Sequence, residues 1–413
     1  VGRVLERMSQ HTEMRPISAD LQRVFERTLG VPIFQEQVMQ LAIIAAGFTP
    51  GEADQLRRSM AAWKRRGGLE HYRDRILDGM RARGYELSFA EQVFEQIKGF
   101  GAYGFPESHA ASFALLVYAS CYLKCHFPAQ FACALLNSQP MGFYLPAQII
   151  SDVKAHQVSV LPVDVQLSGW LSHVNAGSAP SLRLGLHLVQ GLSEAAGLRI
   201  EAARVNGPFS SIAELSQRAN LDAGARAKLA KADALHAIAG NRHLANWVSV
   251  AIQTELPLHG FQAAFESNAE LPTPTLAAEV VADYQSLGLS LKAHPMSLIR
   301  PQLAKLRYRS SAQLLGLPNN RSVRVGGLVT LRQRPGTASG VTFVTLEDEF
   351  GLCNIVVWRS VYEAQRRVLL ESSVLGIDGV FETHDGVSHV IAHRLHNLDH
   401  LLPKLDFASR DFR

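Results

Sequence analysis

The sequence has few cysteines and no hydrophobic run of membrane-spanning length. Four cysteines among 413 residues make no disulfide framework. The longest nearly unbroken apolar run, Ala110 to Leu123, has 14 residues, whereas a membrane helix needs ~20. The N-terminus shows no apolar segment of signal-peptide length. These absences favour a cytoplasmic protein with no membrane partner, and the apolar run predicts a buried helix.

Charge of one sign is also scarce, and so are the motifs of common catalytic sites. A net charge of +4 excludes a uniformly cationic surface, so any nucleic-acid binding must come from local patches. The chain has no P-loop, no GxSxG, no HExxH and no D-x-D pair. It therefore offers no clustered carboxylates for two-metal phosphoryl transfer, and we assign it no catalytic residue. Cys121, Cys125 and Cys133 lack the spacing of a metal site and are interpreted as buried small residues.

The hydrophobic pattern changes along the chain and predicts a multidomain, mainly helical protein that ends in a small all-β barrel. From Arg321 the period becomes two, and three strands, a helix and two strands follow, which is typical of an oligonucleotide-binding (OB) fold. The predicted segments are an N-terminal stretch 1–20, a helical domain 21–138, a connector 139–184, two helical hairpins 185–250, a linker with a helix 251–320, the barrel 321–402 and a tail 403–413.

A basic cluster lies in the helical domain. Residues 57–83 contain nine Lys and Arg against three Asp and Glu. Arg57 and Arg58 belong to a predicted helix that ends in Lys64-Arg65-Arg66, and guanidinium groups make bidentate contacts with phosphate oxygens. The cluster predicts a phosphate-binding surface; the alternative is a solvated charged face.

A second candidate site surrounds a glycine-rich turn. Tyr103-Gly104-Phe105 precedes a helix that starts near Ser108, and the first turn of a helix offers unpaired N–H donors to an anion. His109 adds a charge that depends on pH, and the ring of Tyr103 can stack on a base. Together they predict a nucleotide site, although Ser108 is equally well explained as an ordinary N-cap.

The C-terminal half carries the candidate DNA contacts. Gly191, in Val189-Gln190-Gly191-Leu192-Ser193, predicts a hairpin that offers backbone amides to a phosphate, and Gly224 is interpreted as part of a degenerate second hairpin. A plain helical bundle is the alternative. In the barrel, a cationic groove with aromatic side chains is typical of single-strand binding. The barrel residues assigned to DNA are Arg324, Arg332, Arg334, Phe343 and Trp358; Trp358 is also compatible with the barrel core.

Three long motifs resemble the fingers region of bacterial DNA polymerase III alpha subunits. They occur in the order found in that family and are Gly30-Val31-Pro32-Ile33-Phe34-Gln35-Glu36-Gln37-Val38-Met39, Glu52-Ala53-Asp54-Gln55-Leu56-Arg57-Arg58 and Gly101-Ala102-Tyr103-Gly104-Phe105-Pro106-Glu107-Ser108-His109. Asn137-Ser138-Gln139-Pro140-Met141-Gly142-Phe143-Tyr144 resembles the error-prone, ImuC-type branch. The resemblance covers residues 20 to 413, while the first twenty residues diverge from the family.

The resemblance implies a C-terminal fragment with fingers, helix-hairpin-helix and OB domains. Arg57 and Arg58 would face the triphosphate of a deoxynucleoside triphosphate, with Tyr103 and His109 in the same pocket. The hairpins and barrel would bind primer-template and single-stranded template. The two Mg²⁺ ions of the reaction would be held by a palm domain outside this chain, so the chain alone is expected to be inactive.

The resemblance also implies partners. Replicative relatives carry a glutamine-led sliding-clamp motif, and residues 241–275 contain no convincing version of it. The clamp would therefore be reached indirectly, through an ImuB-type Y-family-like protein with a RecA-like accessory protein. The alternative function is a non-catalytic nucleic-acid-binding and assembly subunit built on the same hairpins and barrel.

Overall fold

The computed structural model describes most of the chain as two compact units. It covers residues 19–66, 70–100, 106–141, 144–177, 180–252, 271–335, 340–384, 386–402 and 410–412, with side chains except at 19, 20, 61–66, 99, 100 and 410–412. The first unit is Val1–Leu123 and the second is Lys124–Arg413.

The first unit is helical. Its helices are α1 Ala19–Phe25, α2 Gln35–Ala46, α3 Pro50–Arg66, α4 Arg73–Ala82, α5 Leu87–Phe100 and α6 Glu107–His126, the last of which continues into the second unit. Thr49 and Glu52 start α3 with a capping box: the Glu52 carboxylate accepts from the Thr49 N–H at 2.7 Å, and the Thr49 hydroxyl accepts from the Glu52 N–H at 3.3 Å. Gly47, at φ +69°, ends α2 because only glycine adopts this conformation without strain.

The core of the first unit lies between α2, α3, α4 and α5. Leu41, Leu56, Ile76 and Phe94 are among its buried side chains. At Gly79 a Cβ atom would lie 2.0 Å from the Ala46 carbonyl oxygen, so glycine allows α4 to approach α2 closely. The periodic apolar residues of this segment therefore form one helical core, as the sequence predicts.

Helix α6 contains the apolar run Ala110 to Leu123, and its exposure contradicts the prediction. The run is helical, but every side chain from Ala111 to Leu123 is exposed, with Leu115 and Tyr118 each at 71%. A helix that is apolar on all faces needs neighbours on several sides, and the described residues leave it uncovered. Among the described helices none alone could span a membrane; α6 and the following helix Pro128–Asn137 pass on length and composition only as a pair bent by 120°.

The second unit begins with helices around a small sheet. Helices α7 Pro128–Asn137 and α8 Pro146–Ala155 precede strands β1 Ser159–Leu161, β2 His173–Asn175 and β3 Ser181–Arg183. Strand β3 is central, parallel to β1 and antiparallel to β2. The helices α9 Glu194–Arg204, α10 Ile212–Arg218, α11 Ala223–Lys231, α12 His236–Ala239 and α13 Arg242–Ala251 then pack on the same core.

Two further helices connect this region to the barrel. They are α14 Leu276–Leu287 and α15 Pro295–Lys305. Arg242 and Asp283 form a buried ion pair, with side chains 4% and 6% exposed, that ties α13 to α14. Met296, Ile299 and Leu303 of α15 pack against barrel residues in a separate core. The linker region is therefore structured where it meets both neighbours.

The barrel is a closed five-stranded sheet, which confirms the OB-fold prediction. Its elements are β4 Arg321–Gln333, β5 Thr342–Asp348, β6 Gly351–Val357, α16 Arg359–Ala364, α17 Arg366–Glu371, β7 Val374–His384 and β8 Val387–Asn397, with a short β9 Arg410–Phe412 added at the edge. The strand order is β5-β6-β8-β7-β4-β9, and pairing of β4 with β5 closes the barrel. Two short helices replace the single helix expected between the third and fourth strands.

Candidate nucleic-acid interface

Arg57 and Arg58 share one carboxylate on α3. The Arg57 guanidinium donates to Asp54 Oδ1 from Nε at 2.9 Å and from Nη2 at 2.8 Å, while Arg58 Nη2 lies 2.7 Å from Asp54 Oδ2. The hydrogen bond from Arg57 is the main cause of the lowered pKa of Asp54. Their side chains are 38% and 73% exposed, so the pair stays at the surface with its direction set by Asp54.

The other residues assigned to this surface lie outside the described part. Nothing is described for the side chains of Lys64, Arg65 and Arg66, or for Tyr103. Their assignments stay predictions.

The start of α6 is capped by a carboxylate from α2. The Glu107 N–H donates to Glu36 Oε2 at 2.9 Å, and the Glu107 carboxylate pairs with Arg27 Nη1 at 2.9 Å. Ser108 and His109 are exposed in this first turn. The predicted anion position therefore has an acidic ligand from the chain itself, which the sequence pattern did not reveal.

A cleft lies beside this contact. Its volume is about 560 Å³, and Arg23, Arg27, Phe34 and Gln40 are among the residues that line it. Gln37 also lines the cleft, and its buried amide accepts from the Phe34 N–H and donates to the Val24 carbonyl oxygen. The lining therefore combines two arginines with an aromatic ring, and one of the arginines, Arg27, is paired with Glu107 of the same cleft.

The first hairpin has the predicted turn. Gly191 adopts φ +73°, Leu192 is buried, and the Ser193 hydroxyl accepts from the Ala196 N–H at 3.3 Å to cap α9. The turn leaves Gly191 exposed at the surface. This is the backbone arrangement that a phosphate-binding hairpin requires.

The second hairpin turns at Asn220, a residue that the sequence pattern did not indicate. Asn220 takes the left-handed conformation at φ +48°, and Asp222 Oδ1 accepts from the Ala225 N–H at 2.6 Å to cap α11. Gly224 has no positive φ and lies in the first turn of α11. A second hairpin is therefore present as interpreted, with Asn220 in place of a glycine as its left-handed residue, since Asn also tolerates that region. The assignment of Gly224 to DNA stays a prediction.

Arg332 does not line a groove. Its side chain is buried, with Nε donating to the Leu369 carbonyl oxygen at 2.7 Å and Nη2 donating to that of Ser372. It belongs to the barrel wall, where it satisfies carbonyl groups at the end of α17. The prediction that Arg332 contacts DNA is corrected on this ground.

Arg324 and Arg334 lie at the surface, and each of them already contacts other side chains of the chain. Arg324 Nε donates to Asp378 Oδ1 at 2.6 Å, and its guanidinium lies 4.6 Å above the ring of Tyr308. Although burial raises the pKa of Asp378, hydrogen bonds from Arg324 and His396 lower it overall. Arg334 lies 4.2 Å above the ring of Tyr362. Arg334 therefore keeps a charge at the surface without a carboxylate partner among the described contacts.

The outward face of β5 and β6 carries an aromatic pair. Phe343 is 41% exposed and Trp358 is 50% exposed, so Trp358 is not part of the barrel core. Phe343 pairs with Val356 of β6, and Trp358 follows two residues later, at the start of α16, so strand alternation places it on the same side. Residues on such a diagonal are within reach of aromatic side chains, and we call these two exposed rings the aromatic platform.

One acidic residue of the barrel has a structural role that the sequence did not indicate. Asp348, the last residue of β5 before the turn to β6, is 6% exposed. It accepts from the Ser311 N–H at 2.6 Å and contacts Arg300 of α15 at 3.2 Å. The turn is therefore a docking point for α15 and contributes no carboxylate to a surface site.

The described residues do not form a metal site. No group of three or more His, Cys, Asp or Glu side chains in the described ranges is placed to hold a metal ion.

Family models match three parts of this architecture. Residues 2–84 match the bacterial DNA polymerase III alpha subunit finger domain, residues 157–245 the helix-hairpin-helix motif, and residues 323–398 the OB-fold nucleic acid binding domain. The first match includes residues 2–20, which were expected to diverge from the family. These modules define a DNA-binding part of a polymerase.

Similar proteins identify the family. The chain is 55% identical to an error-prone DNA polymerase of Pseudomonas syringae pv. tomato over 95% of its own length and 39% of that protein. It is 55% identical to one from Pseudomonas aeruginosa, with 96% and 39% covered, and 48% identical to one from Methylococcus capsulatus, with 98% and 41% covered. The chain belongs to the bacterial DNA polymerase III alpha-subunit family, in its error-prone branch, and spans about two fifths of the length of these relatives.

Among solved structures, asparaginyl-tRNA synthetase from Pyrococcus horikoshii matches 24% of the chain and 24% of its own chain, with a TM-score of 0.21 and 17% identity.

Proposed function

We propose that this chain binds nucleotide and DNA for an error-prone DNA polymerase that copies damaged template. The observation that carries the proposal is the combination, in one chain, of a finger module with exposed paired arginines and a barrel with an exposed aromatic platform. The longer polymerase would catalyse template-directed nucleotidyl transfer during damage-induced mutagenesis and translesion repair, in the cytoplasm.

The finger module would bind the deoxynucleoside triphosphate. Arg57 and Arg58 would contact its phosphate oxygens, with Ser108, His109 and Tyr103 in the same pocket. Because Asp54 fixes both guanidinium groups, little side-chain freedom is lost when the nucleotide binds. A palm domain outside this chain would hold Mg²⁺, which would supply the positive charge that phosphoryl transfer needs.

The second unit would bind the DNA. The hairpin at Gly191 would take a duplex phosphate on its backbone amides. Phe343 and Trp358 would stack on bases of the single-stranded template, and Arg334 would contact the backbone beside them. Arg324 would contribute less, because Asp378 already neutralises it.

A fluorescence anisotropy titration tests this proposal directly. The probe is a primer-template with a single-stranded 5′ overhang, and blunt duplex and single-stranded oligonucleotides are the comparisons. We expect the chain to bind the primer-template most tightly, since that substrate engages both the hairpin and the barrel. Absence of binding at 50 mM salt would overturn the assignment, because phosphate contacts are strongest at low salt.

We further propose that the polymerase reaches the sliding clamp through a partner. The candidates are an ImuB-type Y-family-like protein with a clamp motif and a RecA-like accessory protein. The support is that residues 241–275 contain no convincing version of the glutamine-led motif. Pull-downs of the chain with purified clamp and with each partner test this; tight direct binding to the clamp would contradict it.

A non-catalytic assembly subunit remains the second candidate function. It needs only the hairpins and the barrel, which match a helix-hairpin-helix model and an OB-fold nucleic acid binding model. Both functions need DNA binding, so only nucleotide-dependent effects separate them. A polymerase part should bind the correct deoxynucleoside triphosphate more tightly on a primer-template than without DNA, whereas an assembly subunit should not.

A further inference from the structure

The two hairpins are joined by a reciprocal pair of cations. Lys228 Nζ of α11 donates to the carbonyl oxygen of Gly191 at 2.6 Å. Arg199 Nη2 of α9 donates to the carbonyl oxygen of Asn220 at 3.3 Å. In each case the cation comes from the helix of one hairpin and the carbonyl from the left-handed residue of the other. The two halves are thus related by an internal pseudo-twofold arrangement.

The sequence positions repeat in the same way. Lys228 lies six residues after the cap residue Asp222, and Arg199 lies six residues after the cap residue Ser193. Each left-handed residue in turn precedes its cap by two. The two hairpins therefore correspond to each other position by position.

The caps differ in charge. Ser193 is neutral, whereas Asp222 is an exposed carboxylate. Its Oδ1 accepts a hydrogen bond from the Ala225 N–H. A DNA phosphate at the second turn would meet a like charge at a position where the first turn offers a hydroxyl. The first hairpin has an acidic residue too, Glu194, but it is in the first turn of α9 and is not the cap.

The two cations also differ in how many donors they have in use. Arg199 makes a second hydrogen bond, from Nε to the Ala219 carbonyl oxygen at 2.9 Å, and so is directed into the second hairpin. Lys228 is exposed, and its described hydrogen bond uses one of the three donors of an ammonium group. At the Gly191 position a Cβ atom would lie 3.6 Å from Lys228 Nζ, so the amine lies directly beside the turn.

We propose that the hairpins are unequal: the Gly191 hairpin binds a DNA phosphate with Lys228 as the counter-charge, and Asp222 closes the second hairpin to phosphate. The inference rests on the proposed DNA-binding function and deepens it. Lys228, contributed by the helix of the closed hairpin, is then a DNA-contacting residue of the open one.

Salt-dependent titration of the chain with a blunt 20-base-pair duplex tests the role of Lys228. We expect Lys228→Ala to weaken binding about tenfold and to reduce the log–log salt slope by ~0.9, the value for one lost phosphate contact. Lys228→Arg keeps the charge and should retain the slope. Lys231→Ala, on the same helix, is the matched control and should change the slope less than Lys228→Ala.

Asp222→Ser tests the closed hairpin, because serine keeps the cap and removes the charge. We expect tighter duplex binding and a steeper slope. Wild-type affinity and slope in Lys228→Ala, with thermal melting unchanged, would overturn the role of Lys228. Unchanged binding in Asp222→Ser would overturn the closure of the second hairpin. If the wild-type chain fails to bind duplex at 50 mM salt, the proposed function fails as well.

Discussion

Asp54 holds the guanidinium of Arg57 through two hydrogen bonds to one carboxylate oxygen, at 2.9 and 2.8 Å. The acid lies one helical turn before the arginine, so the contact is local to α3 and forms wherever that helix forms. Its second oxygen faces Arg58, so two positive charges share one negative charge. The three side chains together keep a net positive charge, and the positions of both guanidinium groups are set before a nucleotide binds.

The nucleotide pocket can be tested in a full-length polymerase that contains this chain. Arg58→Ala and His109→Ala should each lower kcat/KM for nucleotide incorporation by about tenfold or more, since a lost charge-assisted contact costs ~1.5–3 kcal/mol. Arg367→Ala, an exposed arginine of α17 outside the basic cluster, is the control and should leave incorporation unchanged. Steady-state kinetics on a primer-template measure the effect; wild-type kinetics in both variants would reject the pocket.

The aromatic platform predicts that single-strand affinity depends on Phe343 and Trp358. Alanine at either position should weaken binding of an oligothymidine by ~1–3 kcal/mol, the typical value of one stacked base. Phe350 is 63% exposed but lies in the turn after β5, off the platform, and Phe350→Ala is the matched control. If all three variants lose affinity equally, the loss does not come from the platform.

The buried Arg332 predicts a stability effect and no specific loss of DNA contacts. Arg332→Met removes the donors to the Leu369 and Ser372 carbonyl oxygens, and each unsatisfied buried group costs ~1–3 kcal/mol. We expect a lower melting temperature, with DNA affinity of the folded fraction retained. Arg334→Ala should show the reverse: little change in melting and weaker single-strand binding. A large affinity loss in stably folded Arg332→Met would restore the groove assignment.

The fold followed from local patterns because those patterns are set by near neighbours. The helical pattern of residues 21–138 and the two-residue period after Arg321 both depend on residues close together in sequence, and they predicted the helices and the barrel correctly. Burial of α6 was predicted wrongly, because burial depends on what covers a helix. The apolar run from Ala110 specifies only that cover is needed, and the described residues do not provide it.

The site was harder to predict because its side chains are partnered over long sequence separations. Arg332 looked like a surface cation beside Arg334, but its acceptors lie 37 and 40 residues away. The cap of α6 comes from Glu36, 71 residues earlier. Neither acceptor leaves a signal in a single sequence. Phe343 was easier to place, since strand alternation decides which face a side chain occupies, whereas Trp358 follows β6 and the sequence left its exposure open.

Glu214 predicts an acid-dependent loss of stability. Its carboxylate accepts from the Ser210 hydroxyl and N–H and from Arg218, and these hydrogen bonds lower its pKa to about 2. A group with a depressed folded-state pKa stabilises the protein above its unfolded value, near 4.5, and loses that contribution as pH falls toward 2. The melting temperature of Glu214→Gln should therefore lie below wild type at pH 6 and converge with it near pH 2. The exposed Glu86→Gln serves as control, and a gap that stays constant between pH 6 and 2 would contradict the role of Glu214.

We predict that this chain alone does not extend a primer. Phosphoryl transfer needs metal ions held by clustered carboxylates. Basic side chains that bind phosphate cannot replace the positive charge of those metal ions. The sequence contains no D-x-D pair. Asp348, the middle residue of Glu347-Asp348-Glu349, accepts a hydrogen bond from Ser311 and contacts Arg300 of α15. Incubation of the purified chain with primer-template, deoxynucleoside triphosphates and Mg²⁺ or Mn²⁺ should give no product above a no-protein background, while the same preparation still binds the DNA. Template-dependent extension that disappears in Arg58→Ala would show that the chain holds a catalytic centre of its own, because a contaminating polymerase would not respond to that substitution.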